Sequence, residues 1–197
     1  AEENWFFPVM GNHDQLTASL GREAGRAFLA GLALADGEPP PVRIGQDSRI
    51  AAEALDAEWL IERLERLHQE VDPLRTLKVL ASPEKWPLAI EVQTDAGPIG
   101  ILHADPPDHD WSVVERLLAN VDESTIETMV WGRSVINRVW QGKPVPPVSG
   151  LARLYTGHTV VGPDPLTVGN RSWIDTGAVF GVGRLALHRI QPPAEGI

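Results

Sequence analysis

LAIEVQTDAGPIGILH, residues 88–103, decides how the rest of the chain is read. Leu88 to Thr94 and Ile99 to His103 are short runs rich in β-branched and aliphatic side chains, and DAGP between them is turn chemistry, so the stretch predicts a β-hairpin. Working outward, the chain changes character at Pro87. Upstream, residues 14 to 35 repeat apolar side chains at helical spacing, and Ser48 to Val71 does so more clearly, with Leu55, Trp59, Leu60, Leu64 and Leu67 on one stripe. This second region predicts an amphipathic helix broken at most once. Trp5 to Met10 reads as a buried strand running into Gly11. Downstream, residues 110 to 131 predict one helix, Arg153 to Thr156 a strand entering Gly157-His158-Thr159, and SWIDTGAV with GRLALHRI a second hairpin. KPVPPVSG, residues 143 to 150, has the composition of a linker, but no repeat or boundary divides the chain. The reading is one α/β domain over residues 1–197, helices first and hairpins later.

Bulk composition narrows the function classes. At 197 residues with 43% hydrophobic side chains, the chain is long enough to bury a core. A formal net charge of -10 argues against a broad nucleic-acid footprint and against an anionic membrane surface. With no cysteine, a disulfide framework and thiolate ligation are excluded, so any metal would be held by His, Asp, Glu or Asn. No long apolar run or leader pattern is visible, and the expectation is a cytoplasmic protein.

Three apolar strands run into loops that carry histidine: VMGNHD with Asn12 and His13, GILHAD with His103, and LYTGHT with His158. Loops beyond strand ends are where open sheets gather ligands, so these side chains can converge although they are far apart in sequence. An Asn and two His offer oxygen and imidazole donors, which suit Mn, Fe, Zn or Ni better than Ca or Mg. Each piece alone also fits ordinary turn or cap chemistry. The repetition is what favours a site, because half of the six histidines fall in this one context. His68, His109 and His188 lack it and are assigned to surface or structure.

GNHDQ, WPLAIEV with GILHADPP, MVWGR, YTGHTVV, and WIDTGAVFG with LALHRI, in this order and spacing, resemble the calcineurin-like metallophosphoesterases, in particular the phosphoprotein phosphatase branch typified by bacteriophage lambda phosphatase. Residues 16 to 85 match only as helical filler. The resemblance implies a β-sandwich flanked by helices, with two divalent metals, manganese first among them, at the strand ends and a metal-activated water attacking phosphorus. Residue by residue, it implies Asn12, His103 and His158 as ligands of one metal. It implies His13 as the group that protonates the leaving oxygen, and Arg133 as the phosphate grip, where a planar guanidinium matches two phosphate oxygens. Asp175 falls in a structural turn of that pattern, and Asp14 and Asp105 are placed to orient imidazoles.

Two further motifs of the family, Gly-Asp-x-His-Gly and Gly-Asp-x-x-Asp-Arg-Gly, belong before GNHD, where ten residues precede Gly11. The expectation is that these residues form the later three quarters of a longer catalytic domain, completed by an N-terminal segment or a partner chain. The implied activity is hydrolysis of phosphoesters, foremost phosphoserine or phosphothreonine in proteins. A dinucleoside polyphosphate hydrolase and an incomplete, phosphate-binding pseudoenzyme stay open beside it.

Overall fold

The computed structural model describes residues 9–34, 41–55, 57–80, 86–178, 180, 183–187 and 190. The chain forms two units, one of residues 12–86 and one of residues 1–11 with 87–197. The strand expected at Trp5 to Met10 lies almost wholly outside the described residues. Among the described residues, no helix is long and apolar enough to cross a membrane.

The first of these units is helical: α1 (Asn12–Leu34), α2 (Gln46–Glu53), α3 (Glu58–Glu65), a 3-10 turn (Leu67–Gln69) and α4 (Pro73–Leu80). Leu16, Leu20, Ala24 and Phe28 recur every four residues along α1, and all four are buried against Leu60, Leu64 and Leu67. Helix α1 starts two residues earlier than the periodicity predicts, so Asn12 and His13 stand in its first turn and not in a loop. The region from Ser48 to Val71 is broken between α2 and α3 and tightens into the 3-10 turn. Sequence reasoning missed α4, although its start is signalled. Pro73 occupies the first helical position, and Asp72 Oδ1 accepts the Arg75 backbone N–H at 3.0 Å.

The other unit is mixed α/β. Its open five-stranded sheet has the order β1 (Ala89–Val92), β2 (Ile99–Leu102), β3 (Arg153–Thr156), β5 (Arg171–Trp173), β4 (Leu166–Val168). The predicted hairpin is β1–β2, antiparallel, and its turn is closed by the Gly97 N–H on the Thr94 carbonyl at 3.0 Å. Strands β2, β3 and β5 run parallel, with Leu102 beside Thr156 and Thr156 beside Trp173. Their carboxyl ends therefore lie in a row, the edge at which open α/β sheets present loops.

The register puts Leu102, Leu154 and Trp173 on the same face of the sheet. Helices α5 (Trp111–Ala119), α6 (Glu123–Trp131) and α7 (Ser134–Trp140) cover that face. Trp111, Val114 and Met129 pack with Leu102 and Leu154, and Val135 and Ile136 pack with Trp173. The single helix expected over residues 110 to 131 is thus two. Asp110 and Asp122 each cap a separate start, accepting the Ser112 and Thr125 backbone N–H groups at 2.9 and 2.7 Å.

The second predicted hairpin is also corrected. Strand β5 pairs antiparallel with β4 upstream, through Gly169-Asn170, and among the described residues its downstream continuation makes one isolated bridge, Gly177 to Arg184. Gly169 at φ 58, followed by a residue of negative φ, has the φ signs of a type II′ turn, whose twist suits a two-residue hairpin. A Cβ on Gly169 meets nothing within 4 Å, so Gly169→Ala isolates the backbone term. We expect it to cost about 1–2 kcal/mol in urea unfolding. An unchanged midpoint would show that the hairpin turn is unstrained.

Candidate functional site

Three loops leave the aligned carboxyl ends of the parallel strands: His103-Ala104-Asp105 after β2, Gly157-His158-Thr159 after β3, and Ile174-Asp175-Thr176 after β5. They are tied to one another through backbone groups. The Gly157 N–H donates to the His103 carbonyl at 2.9 Å, Ile174 N–H to Thr156 at 2.8 Å, and Val161 N–H to Asp175 at 3.0 Å. Asp175 Oδ1 accepts the Gly177 N–H at 2.9 Å, the local turn contact expected of an Asx residue.

This scaffold brings His103 and His158 together. His103 Nε2 lies 3.1 Å from His158 Nδ1, with ring centroids 4.9 Å apart and the planes tilted by 56°. This is the spacing of a hydrogen bond between one ring N–H and the lone pair of the other, and it also falls in the range of about 3.0–3.4 Å expected of two nitrogens bound at about 2.1 Å to one cation. His158 is held in a left-handed conformation, φ 64, the only described non-glycine residue with positive φ. That conformation is sparsely populated for a side chain of this size and is found where surrounding contacts over-determine it.

Trp131 stands edge-on to the His158 ring, centroids 6.2 Å apart and planes at 82°. The His158 Nε2 is buried. Burial first, and then the Arg133 guanidinium, hold the His158 pKa below the ordinary imidazole value, against the Trp131 backbone and the Asp105 and Asp175 carboxylates. The neutral ring, the form that ligates metals, is thereby favoured.

Arg133 is exposed and directly precedes α7, next to Gly132. Its placement follows from Asp105, only 3% exposed, whose Oδ2 accepts the Ser134 hydroxyl at 2.9 Å and the Val135 N–H at 3.0 Å. The orphan donors at the start of α7 are thus satisfied by a carboxylate from another loop. This oxygen serves a helix start and not an imidazole, which differs from the orienting role expected for Asp105. The Ala104 N–H also reaches the Met129 carbonyl at 2.9 Å, so the loop after β2 is fixed to the end of α6.

Asn12 and His13 belong to the helical unit. Asn12 is buried, His13 is exposed, and the His13 carbonyl accepts the Thr17 hydroxyl at 2.8 Å one turn on. His103, His158 and Arg133 share the α/β unit, whereas Asn12 and His13 lie in the helical one. Among the described residues, no group of three His, Asp or Glu side chains is arranged to hold a metal.

Sequence reasoning missed Trp131 as the wall beside His158. It also missed the pairing of His109 with Arg171, whose Nη2 lies 2.8 Å from His109 Nδ1. MVWGR contained a signal for the first, since an aromatic before Gly-Arg at a helix end is costly to leave exposed. The second had none, because residues 109 and 171 meet only through the sheet order. No protein-family model matches this chain.

Proposed function

We propose that these residues carry part of the active site of a calcineurin-like metallophosphoesterase, a metal-dependent phosphatase acting on phosphoserine or phosphothreonine. The observation that carries this reading is the meeting of His103 and His158, 55 residues apart, at metal-ligand spacing beyond two adjacent parallel strands.

In this reading His103 and His158 are ligands of a divalent cation, manganese first, with Fe, Zn or Ni as chemically suitable alternatives. When bound, the cation lowers the pKa of a coordinated water and neutralises phosphoryl oxygens. Arg133 binds the phosphate through its planar fork, and its exposed position leaves it free to meet a bulky phosphoprotein. Trp131 excludes water from one edge of His158 and holds its ring direction.

Two imidazoles bring no negative charge to a dication, so the proposed site needs carboxylate ligands besides them.

The test is turnover of p-nitrophenyl phosphate by the full natural polypeptide, with and without added Mn²⁺. Turnover that depends on the metal is expected. Retained phosphate binding with no turnover under Mn, Fe, Zn or Ni would overturn the enzymatic reading and leave a phosphate-binding module.

A further inference from the structure

Arg171 is a buried cation whose position within β5 calls for an explanation. It is only 2% exposed, its Nε donates to the Pro146 carbonyl at 3.1 Å, and its Nη2 meets His109 Nδ1 at 2.8 Å. None of the ion pairs seen among the described residues involves it. A guanidinium has donors only, so a hydrogen bond from Nη2 requires a lone pair on Nδ1. The geometry therefore fixes His109 as the neutral ring with its proton on Nε2.

Backbone hydrogen bonds tie the same residue to the 143–150 segment. The Ser149 N–H donates to the His109 carbonyl at 2.8 Å, and the Trp111 N–H donates to the Ser149 carbonyl at 3.0 Å, a one-bridge splice between residues 109–111 and the 143–150 segment. Arg171 binds both sides of this splice, His109 on one and Pro146 on the other. The same loop carries Asp105, which fastens the start of α7.

We infer that His109 and Arg171 form a proton-sensitive latch, closed while the imidazole is neutral and released when it takes up a proton, that fastens the loop after β2 to β5 and to the 143–150 segment. Protonating Nδ1 removes the acceptor that Nη2 has there and sets two cations face to face. The charges around the ring come from every element packed on it: Arg171 on β5, Arg138 on α7, and Asp108 and Asp105 on its own loop. His109 is exposed as a residue, but partial desolvation of its ring, then Arg171, lower its pKa below the ordinary value of 6.5, with Arg138 acting the same way and Asp108 and Asp105 opposing. Arg171 itself keeps its charge at any pH where the fold persists.

The sign follows directly. The released state binds the proton more tightly than the latched state, so the latch is fully closed above 6.5 and weakens as pH falls from 6.5 toward the lowered value of the latched ring. In that window, one linked proton changes the opening equilibrium by up to about tenfold per pH unit. The latch does not depend on whether the histidine pair binds metal.

Two measurements on the full chain test it. Amide hydrogen exchange at Ser149 and Trp111, corrected for intrinsic rates, should lose protection by up to about tenfold per pH unit below 6.5 in the wild type. His109→Asn, whose amide oxygen can occupy the place of Nδ1 without titrating, should lose that pH dependence. Equal pH dependence in both proteins would overturn the latch. Should the variant fail to fold, an NMR titration of the wild-type imidazoles decides: a His109 transition at or above 6.5 overturns it, and a lower one with coincident shifts at Ser149 upholds it.

Discussion

His158→Gly is expected to reduce metal-dependent turnover of p-nitrophenyl phosphate by about 100-fold or more, since even groups that only support a metal ligand are worth about 10- to 100-fold. Glycine is the right replacement because the backbone at this position is already left-handed, φ 64. Alanine would lose the imidazole and keep the strain, so a loss of activity could be a loss of fold. Glycine removes the ring and relaxes the backbone at once. The remaining His103 Nε2 loses the neighbour 3.1 Å away, and the space beside Trp131 opens to water. Near-wild-type stability with collapsed turnover and lowered metal content is the expected pattern. If turnover and metal content both persist, His158 is a turn residue and the ligand assignment fails.

The second large effect concerns stability. Gly132→Ala is expected to cost about 3 kcal/mol or more in denaturant unfolding, at the upper end of what overpacking costs in a core. A Cβ there would lie 2.4 Å from the Thr128 carbonyl oxygen and 2.6 Å from Asp105 Cβ. Neither can swing aside, because one is helix backbone and the other belongs to a side chain pinned to Ser134 and Val135. The substitution should also shift Arg133, the next residue, so any residual folded protein should bind inorganic phosphate more weakly. A variant as stable as the wild type would show that the α6–α7 corner can yield, and that Asp105 does not fix it.

How far the sequence could be read depended on whether a signal was local. The β1–β2 hairpin was legible because alternation, DAGP and strand length lie within sixteen residues, and β3 because an apolar run ends at Gly157. The row of parallel strand ends was anticipated in kind: His103 and His158 were placed at strand ends, and the structure brings their rings together. Among the features that escaped, three show the reason. The break between α5 and α6 is written in Asp122, but a helical pattern on both sides masks a cap in the middle. The partner of β5 was sought downstream, since SWIDTGAV and GRLALHRI both alternate, whereas Gly169-Asn170 offered the shorter closure upstream. The contacts of Arg171 and Asp105 join residues 62 and 30 apart, and no periodicity reports such pairs.

The segment KPVPPVSG has the composition of a spacer, and its prolines bar it from a regular ladder. Yet Val148 is buried, and the Asn170 side chain accepts the Val148 N–H at 2.9 Å while donating to the Val148 and Leu151 carbonyls at 2.8 and 3.0 Å. One carboxamide thus does for this strip what a neighbouring strand would otherwise do. The consequence is a division of evolutionary freedom: the identity of the exposed residues here can drift, but the number of residues cannot. Gaining or losing a single position between Lys143 and Val148 would slide the backbone past the one amide that reads it.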